Sequence, residues 1–324
     1  MAAWWVWASS FVVAAAVGCT ESPSTPARAP SATAPVSREA PSPPPSGAST
    51  RAASAPSVSS ANLPPFPDDE FGDRPDVRFR GVGKFDNVLV VDEGTERHLR
   101  FGSAESVNQS TISLASPETV PMEYIRVAFL SVLYAKQKRR ALMVGLGGGT
   151  FTTLLRRHFP EMWIDVAEID PMVKKVATEW FGVREDERYR IHIADGAEFV
   201  ANTKHSYDIS LIDAYEGDDI PDQLQRQEFF QSLKGKMATD GIAVLNLSVS
   251  DAIERTLEGR FRKAFPEVRC ARTRWGGLVL FGRPEPGMPT MAELLVRAEQ
   301  EGAHLKPSFD LVETAKKTRR RCGR

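Results

Sequence analysis

The sequence predicts an α/β fold, built on a mainly parallel sheet with helices on both faces and preceded by a small β-rich region. From Ala141 onward, short apolar runs alternate with stretches of helical spacing. A glycine-rich turn at residues 145–149 follows the first of these runs. Ahead of Ala141, apolar runs lie close together and are separated by turn residues. Alternation of this kind is typical of parallel strands joined by crossover helices.

The region ahead of Ala141 contains three predicted strands and one predicted helix. The strands are residues 88–91, 98–101 and 107–114, with Glu93 and Gly94 in a turn between the first two. Apolar residues at helical spacing follow at 124–134. The pattern therefore indicates a β-rich region that ends in a helix.

The alternating region consists of strand–helix units followed by a close pair of strands. The longest predicted helix covers residues 222–237. The predicted strands are residues 141–144, 164–169, 190–193, 207–212, 242–247, 268–271 and 278–281. In sheets of this kind ligands bind beyond the carboxyl ends of the strands, where the strand order reverses. Functional residues should therefore lie just after the strands.

Composition divides the chain into segments. Of the 23 prolines in the 324 residues, twelve lie between Thr20 and Pro67. That stretch has no apolar periodicity with which to build a core, so we expect a disordered linker. Thr290 and Glu293 form a capping-box pattern that predicts a C-terminal helix up to Glu301. The predicted segments are a signal sequence at 1–19, the linker at 20–67, a β-rich domain at 68–135, an α/β domain at 136–285, and a helix with a basic tail at 286–324.

Residues 1–19 predict export. Residues 2–18 are almost wholly apolar, which fits the apolar part of a signal peptide better than a permanent membrane span. The stretch ends in Ala16-Val17-Gly18-Cys19, which resembles the lipobox of bacterial lipoproteins, where the cysteine is acylated. The expectation is a lipoprotein of the cell envelope, anchored in the membrane through Cys19. An ordinary signal peptide is one alternative, and a cytoplasmic protein with a misassigned start codon is another.

Bulk charge and cysteine content narrow the choice of partners and fold. The chain has 41 Lys and Arg against 42 Asp and Glu, a net charge of −1, which gives no reason to expect nucleic-acid binding. Three cysteines in this length argue against a fold built on disulfides. A bond between Cys270, in a predicted strand, and Cys322 is compatible with export, although nothing in the local sequence specifies it.

Glycines follow the first strand of the alternating region, at Gly145, Gly147 and Gly149. They let the backbone turn tightly and approach a ligand at the amino end of the next helix. The alternative explanation of these glycines is close packing of the strand against the helix, without a ligand. A dinucleotide fingerprint would have a further glycine at position 150, where this chain has Thr150, so binding of NAD or FAD is disfavoured.

Acidic residues follow the next two strands. Glu168 is placed either to accept hydrogen bonds from both hydroxyls of a ribose or to lie solvated at the strand end. Asp195, which precedes Gly196, can accept from an adenine amino group or cap the next helix. Together with the glycine-rich turn, these residues predict a bound adenosine without a diphosphate.

An acidic segment follows the fourth strand, with Asp213, Glu216, Asp218 and Asp219 within seven residues. Carboxylates this close together attract a cation: a sulfonium cofactor, a protonated amine or a metal ion. No histidine lies nearby in the sequence to complete a transition-metal site. A sulfonium or an amine is therefore preferred, and no metal is expected.

Residues 86–283 resemble the spermidine/spermine synthase family, the polyamine aminopropyltransferases, in a divergent spermidine-synthase-like branch. The matching segments are residues 147–149, 168–170, 194–196 and Asp213. The resemblance implies a seven-stranded methyltransferase-like Rossmann fold with a small N-terminal β-domain, in which residues 136–285 bind an adenosyl cofactor. It also implies decarboxylated S-adenosylmethionine as co-substrate and a small-molecule amine as acceptor. Family members are commonly dimers or tetramers, which makes a homodimer one candidate assembly.

The same resemblance implies roles for individual residues. Glu168 would hold the ribose, Asp195 the adenine, and Asp213 the attacking amine, whose proton it would accept. The further implied cofactor-binding residues are Gln109, Gly145, Gly147, Gly149 and Gly196, and the implied substrate-binding residues are Tyr124, Tyr215 and Glu216.

Departures from the family pattern leave other activities open. Thr150 stands where the family has the aspartate that holds the aminopropyl ammonium, so a methyltransferase that uses ordinary S-adenosylmethionine is an alternative. Export favours a third hypothesis, a non-catalytic binding module on the same fold, because adenosyl cofactors are made in the cytosol.

Overall fold

The computed structural model describes residues 76–216 and 219–322. The predicted signal sequence, the predicted lipidation site Cys19 and the linker lie outside these described residues. Two sheets, one of four strands and one of seven, make up the β structure of the described part. The prediction of an α/β fold with a seven-stranded sheet and an N-terminal β-region is confirmed.

The four-stranded sheet is an antiparallel meander in chain order. Its strands are β1 (Val77–Val82), β2 (Asn87–Glu93), β3 (Glu96–Phe101) and β4 (Asn108–Ser113). Five successive residues of β2 are buried, which is why its apolar run was evident in the sequence. Strand β1 was not predicted, because its residues are at most partly buried and form no continuous apolar run.

The seven-stranded sheet has the order β10-β11-β9-β8-β5-β6-β7. Its strands are β5 (Arg140–Val144), β6 (Trp163–Glu168), β7 (Tyr189–Ile193), β8 (Tyr207–Ile212), β9 (Met237–Leu247), β10 (Glu267–Arg272) and β11 (Leu278–Arg283). Strands β5 to β9 are parallel, and β11 is antiparallel to both of its neighbours. The strand order reverses at β5, with β6 and β7 on one side and β8 and β9 on the other. This is the position where sheets of this class bind ligands.

Helices connect the parallel strands and continue beyond them. They are α1 (Glu123–Ala128), α2 (Ser131–Tyr134), α3 (Thr150–His158), α4 (Pro171–Trp180), α5 (Gly196–Asn202), α6 (Asp222–Gln225), α7 (Gln227–Lys236), α8 (Asp251–Ala264), α9 (Met291–Leu305) and α10 (Leu311–Ala315). The predicted capping box at Thr290 and Glu293 is present. Helix α9 continues through Gly302 to Leu305, beyond the predicted end at Glu301, and Lys306 makes the left-handed turn with φ of 47°.

The prediction of one helix over residues 222–237 is wrong. Arg226 has extended backbone angles, with φ of −67° and ψ of 149°, and separates α6 from α7. Met237, assigned to the helix by the sequence pattern, begins β9. The apolar side chains Leu224, Phe229 and Phe230 pack into one core from both helices, so their periodicity did not reveal the break.

The seven-stranded sheet carries a hydrophobic core on each face. Alternate residues of β5 divide between them: Met143 packs into the core that contains Phe129 and Leu155. Leu142 packs into the core that contains Phe230. The division follows from the two-residue period of a strand. Burial on both faces explains why the central strands are continuous apolar runs in the sequence.

The four-stranded sheet is joined to the carboxyl edge of the larger sheet by direct hydrogen bonds. The Asp170 carboxylate, which caps α4, accepts from the backbone N–H of Lys84 at 2.7 Å. The Ser110 hydroxyl of β4 accepts from the backbone N–H of Gly148 at 2.8 Å. These contacts position the smaller sheet above the strand ends. Within residues 76–216 and 219–322, no helix has the length and apolar character that crossing a bilayer would require.

Candidate active site

A cavity of about 770 Å³ lies at the carboxyl ends of the parallel strands, between the two sheets. Its size is within the range of pockets that hold small-molecule ligands. Ten of the predicted site residues line it: Gln109, Tyr124, Gly145, Gly147, Glu168, Asp195, Gly196, Asp213, Tyr215 and Glu216. The structure thus brings together side chains from β4, α1 and the ends of β5, β6, β7 and β8.

Gly149 is the predicted cofactor-binding residue that does not line the cavity. It is the N-cap of α3, with φ of 67°, and a β-carbon there would lie 2.3 Å from Val183 Cγ2. Packing against Val183 therefore accounts for this glycine, and its predicted contact with a cofactor stays a prediction. Gly145 does line the cavity, with φ of 84°, and a β-carbon there would lie 2.2 Å from the Asp213 carbonyl oxygen. Only glycine allows the ends of β5 and β8 to approach this closely.

Glu168 is held at the end of β6 by backbone donors. Its Oε2 accepts from Leu146 N–H and its Oε1 from Asp170 N–H, both at 2.8 Å, and the residue is only 6% exposed. Burial raises the pKa of Glu168 to about 7, although the two backbone hydrogen bonds oppose the rise. Each carboxylate oxygen keeps further lone-pair capacity, so the group can accept from two adjacent hydroxyls of a ligand.

Asp195 caps the helix that follows β7. Its Oδ1 accepts from Ala197 N–H at 2.8 Å and from Glu198 N–H at 3.0 Å. Its Oδ2 accepts from the Gln223 side-chain amide at 3.0 Å. The capping interpretation of Asp195 is therefore correct. Because the side chain also lines the cavity, its predicted contact with an adenine amino group stays a prediction.

Asp213, at the end of β8, is held by two side chains. Its Oδ1 accepts from the Asn246 side-chain amide at 2.9 Å, and it is also hydrogen-bonded to the Tyr124 hydroxyl. Burial raises the pKa of Asp213, and these two hydrogen bonds oppose the rise. Burial also raises the pKa of Tyr124 well above its ordinary value, which keeps that hydroxyl a neutral donor. The arrangement fixes a carboxylate of increased basicity at the surface of the cavity.

The remaining predicted substrate residues differ in how firmly they are held. The Tyr215 hydroxyl donates to the Asn246 carbonyl at 3.0 Å and accepts from Ser248 N–H at 2.8 Å, so its polar group is engaged with the end of β9. Tyr215 therefore offers its ring to the cavity. Glu216 is exposed at the rim, in a backbone bridge with Asp219. Gln109 is partly buried in β4.

Sequence reasoning missed Asn246, Glu123 and Arg274, all of which line the cavity. Asn246 is a buried amide within the apolar run of β9, and a single polar residue in such a run was the available signal. Glu123 accepts from the backbone N–H of Arg274 at 2.8 Å and forms an ion pair with Lys317. Burial acts to raise the pKa of Glu123, but the hydrogen bonds from Lys317 and Arg274 prevail and hold that pKa below its ordinary value.

The cavity is acidic. Arg274 is the single basic residue among the described residues that line it. The acidic residues of the lining are Asp86, Glu96, Glu123, Glu168, Asp170, Asp195, Asp213 and Glu216. Walls of one sign of charge concentrate ligands of the opposite sign, so the cavity favours a cationic ligand. Among the described residues, no group of three or more His, Cys, Asp or Glu is arranged to hold a metal ion.

Comparisons with known proteins give the family. The spermine/spermidine synthase domain matches residues 125–281. A polyamine aminopropyltransferase of Chromobacterium violaceum is 30% identical over 218 residues, covering 66% of this chain and 82% of that protein. The chain belongs to the spermidine/spermine synthase family. A polyamine aminopropyltransferase of Vibrio vulnificus is 27% identical over 188 residues. These residues are 56% of this chain and 63% of that protein, so this chain spans less than two thirds of its length.

This family member also resembles methyltransferases. The human eEF1A lysine and N-terminal methyltransferase is 35% identical over 144 residues, which are 40% of this chain and 21% of that protein. Human methyltransferase-like protein 13 in complex with SAH superposes with a TM-score of 0.51 and 26% identity, covering 61% of this chain and 94% of that structure. A spermidine synthase in complex with the transition-state analogue AdoDATO superposes with a TM-score of 0.60 and 17% identity, covering 75% of this chain and 85% of that structure. At that identity the spermidine synthase structure shows the shared fold.

Binding of an adenosine-containing ligand to this spermidine synthase family member should release a proton near neutral pH. Ionised Glu168 accepts hydrogen bonds from ribose hydroxyls more strongly than the neutral acid does, so the ligand should lower its pKa from about 7. Affinity for methylthioadenosine should therefore increase as pH rises to about 7 and level off above that pH. Isothermal titration calorimetry in two buffers of different ionisation enthalpy measures the proton release directly.

Glu168→Gln should abolish both the proton release and the pH dependence of binding. Glu179→Gln, on the exposed side of α4, is the matched control and should leave both unchanged. Proton uptake by the unsubstituted protein, or equal proton release by the Glu168→Gln variant, would contradict the assignment of Glu168.

Proposed function

We propose that this chain is a polyamine aminopropyltransferase that transfers an aminopropyl group from decarboxylated S-adenosylmethionine to a small-molecule amine. The observation that carries the proposal is the Asp213 carboxylate, held between Tyr124 and Asn246 in an acidic cavity that also contains Glu168 and Asp195. Family membership and the polyamine aminopropyltransferases among its relatives support this activity. The adenosyl co-substrate is supported by the solved neighbours that contain SAH and AdoDATO.

The two ends of the cavity have different roles in this proposal. We call the side formed by Glu168 and Asp195 the adenosine end, and the side formed by Glu123, Tyr124, Asp213 and the 273–277 turn the acceptor end. The strand order supports the division, since β6 and β7 lie on one side of β5 while β8, β9 and the β10–β11 pair lie on the other. The adenosine end would hold the ribose and adenine, and the acceptor end would hold the amine beside Asp213.

The proposed reaction is a nucleophilic displacement. The nitrogen of the amine forms a bond to the aminopropyl carbon that is attached to the sulfonium, the carbon–sulfur bond breaks, and its electron pair leaves with methylthioadenosine. One proton of the attacking nitrogen passes to the Asp213 carboxylate. Since the sulfonium is already a good leaving group, the protein supplies orientation and a base. The raised pKa of Asp213 suits that role, because a more basic carboxylate takes the proton more readily.

A methyltransferase is the second candidate, and Thr150 is the observation that favours it. This residue stands at the start of α3, where the family pattern has an aspartate for the aminopropyl ammonium. Its hydroxyl oxygen is buried and makes no hydrogen bond within the described residues. A neutral side chain at this position removes a contact that would discriminate in favour of the decarboxylated co-substrate. The similarity to the human methyltransferase supports the same reading.

Calorimetric titration with ordinary and with decarboxylated S-adenosylmethionine tests these candidates. Tighter binding of the decarboxylated compound, with formation of methylthioadenosine and spermidine when putrescine is added, is the expected result. Preference for ordinary S-adenosylmethionine would favour the methyltransferase. Absence of binding to either compound, in a preparation whose circular dichroism shows a folded protein, would favour the non-catalytic module.

We also infer that the protein functions in the cell envelope, attached to a membrane through an acylated Cys19. A disulfide between Cys270 and Cys322 supports this, because such bonds persist in oxidising compartments and are rare in the cytosol. Mass spectrometry of the mature amino terminus tests the inference: an acylated Cys19 is expected, and an intact Met1 would overturn it. The homodimer remains a prediction.

A further inference from the structure

The last described part of the chain, residues 311–322, is fixed to the edge strand β10 at two points. Cys270 and Arg319 form a backbone bridge, with N–H to carbonyl distances of 2.8 Å and 2.7 Å. Three residues later, Cys322 forms the disulfide with Cys270. The Arg272 guanidinium also donates to the Cys322 carbonyl, at 3.4 Å. Since β10 is the outer strand of the sheet, the segment covers an edge that would otherwise present unpaired backbone groups.

This anchored segment reaches the cavity through Lys317. The Lys317 ammonium pairs with Glu123 Oε1, and Glu123 Oε2 accepts from the backbone N–H of Arg274 at 2.8 Å. Glu123 is 9% exposed and lines the cavity. One carboxylate thus connects three parts of the chain: the start of α1, the turn between β10 and β11, and the C-terminal segment.

Two parts of the acceptor end adjoin Glu123: Tyr124 and the turn that contains Arg274. Tyr124, the next residue along α1, is hydrogen-bonded to Asp213. Arg274 and Trp275 lie in the β10–β11 turn at the cavity, where Trp275 is 82% exposed. A buried carboxylate that loses its cationic partner is strongly disfavoured. The position of Glu123 therefore depends on Lys317, and the turn that it holds depends on Glu123.

We propose that Lys317, in the anchored C-terminal segment, is a positioning residue of the acceptor end that acts through Glu123 on Tyr124 and on the 273–277 turn. The statement about the acceptor rests on the proposed aminopropyltransferase function. The positioning itself does not, because it concerns contacts within the chain. The two can therefore be tested separately.

Lys317→Met is the test variant and Lys316→Met is its matched control. The two lysines are adjacent and similarly exposed, at 45% and 53% of the side chain, but Lys316 pairs with Glu313 on α10. Lys317→Met should raise the KM for putrescine about 10-fold, as for loss of one hydrogen bond to a charged group. It should leave the Kd for methylthioadenosine unchanged, since the adenosine end lacks this contact. Lys317→Arg should restore the KM, and Lys316→Met should alter neither quantity.

Hydrogen–deuterium exchange of the free protein gives a readout that needs no substrate. In Lys317→Met the amide of Arg274 should exchange faster than in the unsubstituted protein, and in Lys316→Met it should not. Faster exchange at Arg274 supports the positioning role whether or not the unsubstituted protein acts on putrescine. Failure of the unsubstituted protein to act on putrescine would count against the proposed function and not against the positioning role. Unchanged exchange at Arg274 would overturn the proposal. Equal weakening of putrescine and methylthioadenosine binding would overturn the assignment to the acceptor end.

Discussion

Asp213→Asn should lower turnover by roughly 100-fold or more, the usual effect of removing a general base. In the proposed reaction, the amide that replaces the carboxylate cannot accept the proton released by the attacking amine. The Kd for methylthioadenosine should change little, since Glu168 and Asp195 at the adenosine end are untouched. Rapid-quench measurement of methylthioadenosine formation separates the chemical step from product release.

The pH profile and a control variant make the Asp213 test specific. Because the pKa of Asp213 is raised by burial, turnover of the unsubstituted protein should fall as pH decreases through that raised value, and the variant should lose this dependence. Asp219→Asn is the same chemical change in the same loop, at an exposed residue outside the cavity lining, and should leave turnover unchanged. Full activity in Asp213→Asn would rule out its role as the base.

Loss of the Cys270–Cys322 bond should lower the free energy of unfolding by about 4 kcal/mol, from the entropy of a loop with a separation of 52 residues. The bond restricts the unfolded chain, and in the folded state it holds the C-terminal segment against β10. Urea denaturation with and without a reductant measures the difference. The double variant Cys270→Ser/Cys322→Ser should show the lower stability under both conditions.

The double variant is also the control for other effects of the reductant. If its denaturation midpoint shifts on adding reductant as much as that of the unsubstituted protein, the shift does not come from this disulfide. Equal midpoints for the oxidised protein and the double variant would show that the bond contributes nothing to stability. The oxidised bond in protein isolated from cells would, in addition, support the inferred location in the cell envelope.

The sequence by itself determined the class of fold and most of the cavity. Parallel strands buried on both faces are apolar runs, and their carboxyl ends meet at one edge of a sheet. Residues placed directly after successive strands, such as Glu168, Asp195 and Asp213, could therefore be assigned to one site before the strand order was known. The αL glycine at Gly145 was evident for a similar local reason, because a tight turn follows the strand.

Only the tertiary structure decided which side chains support that site. Glu123 contacts Arg274, 151 residues away, and Lys317, 194 residues away. Asn246 reaches Asp213 because β9 lies beside β8. Gly149 packs against Val183, which comes from another part of the chain. Periodicity, turns and caps reflect interactions between residues a few positions apart. The contacts above arise instead from strand order and from packing between segments far apart in the chain, and no local sequence pattern encodes them.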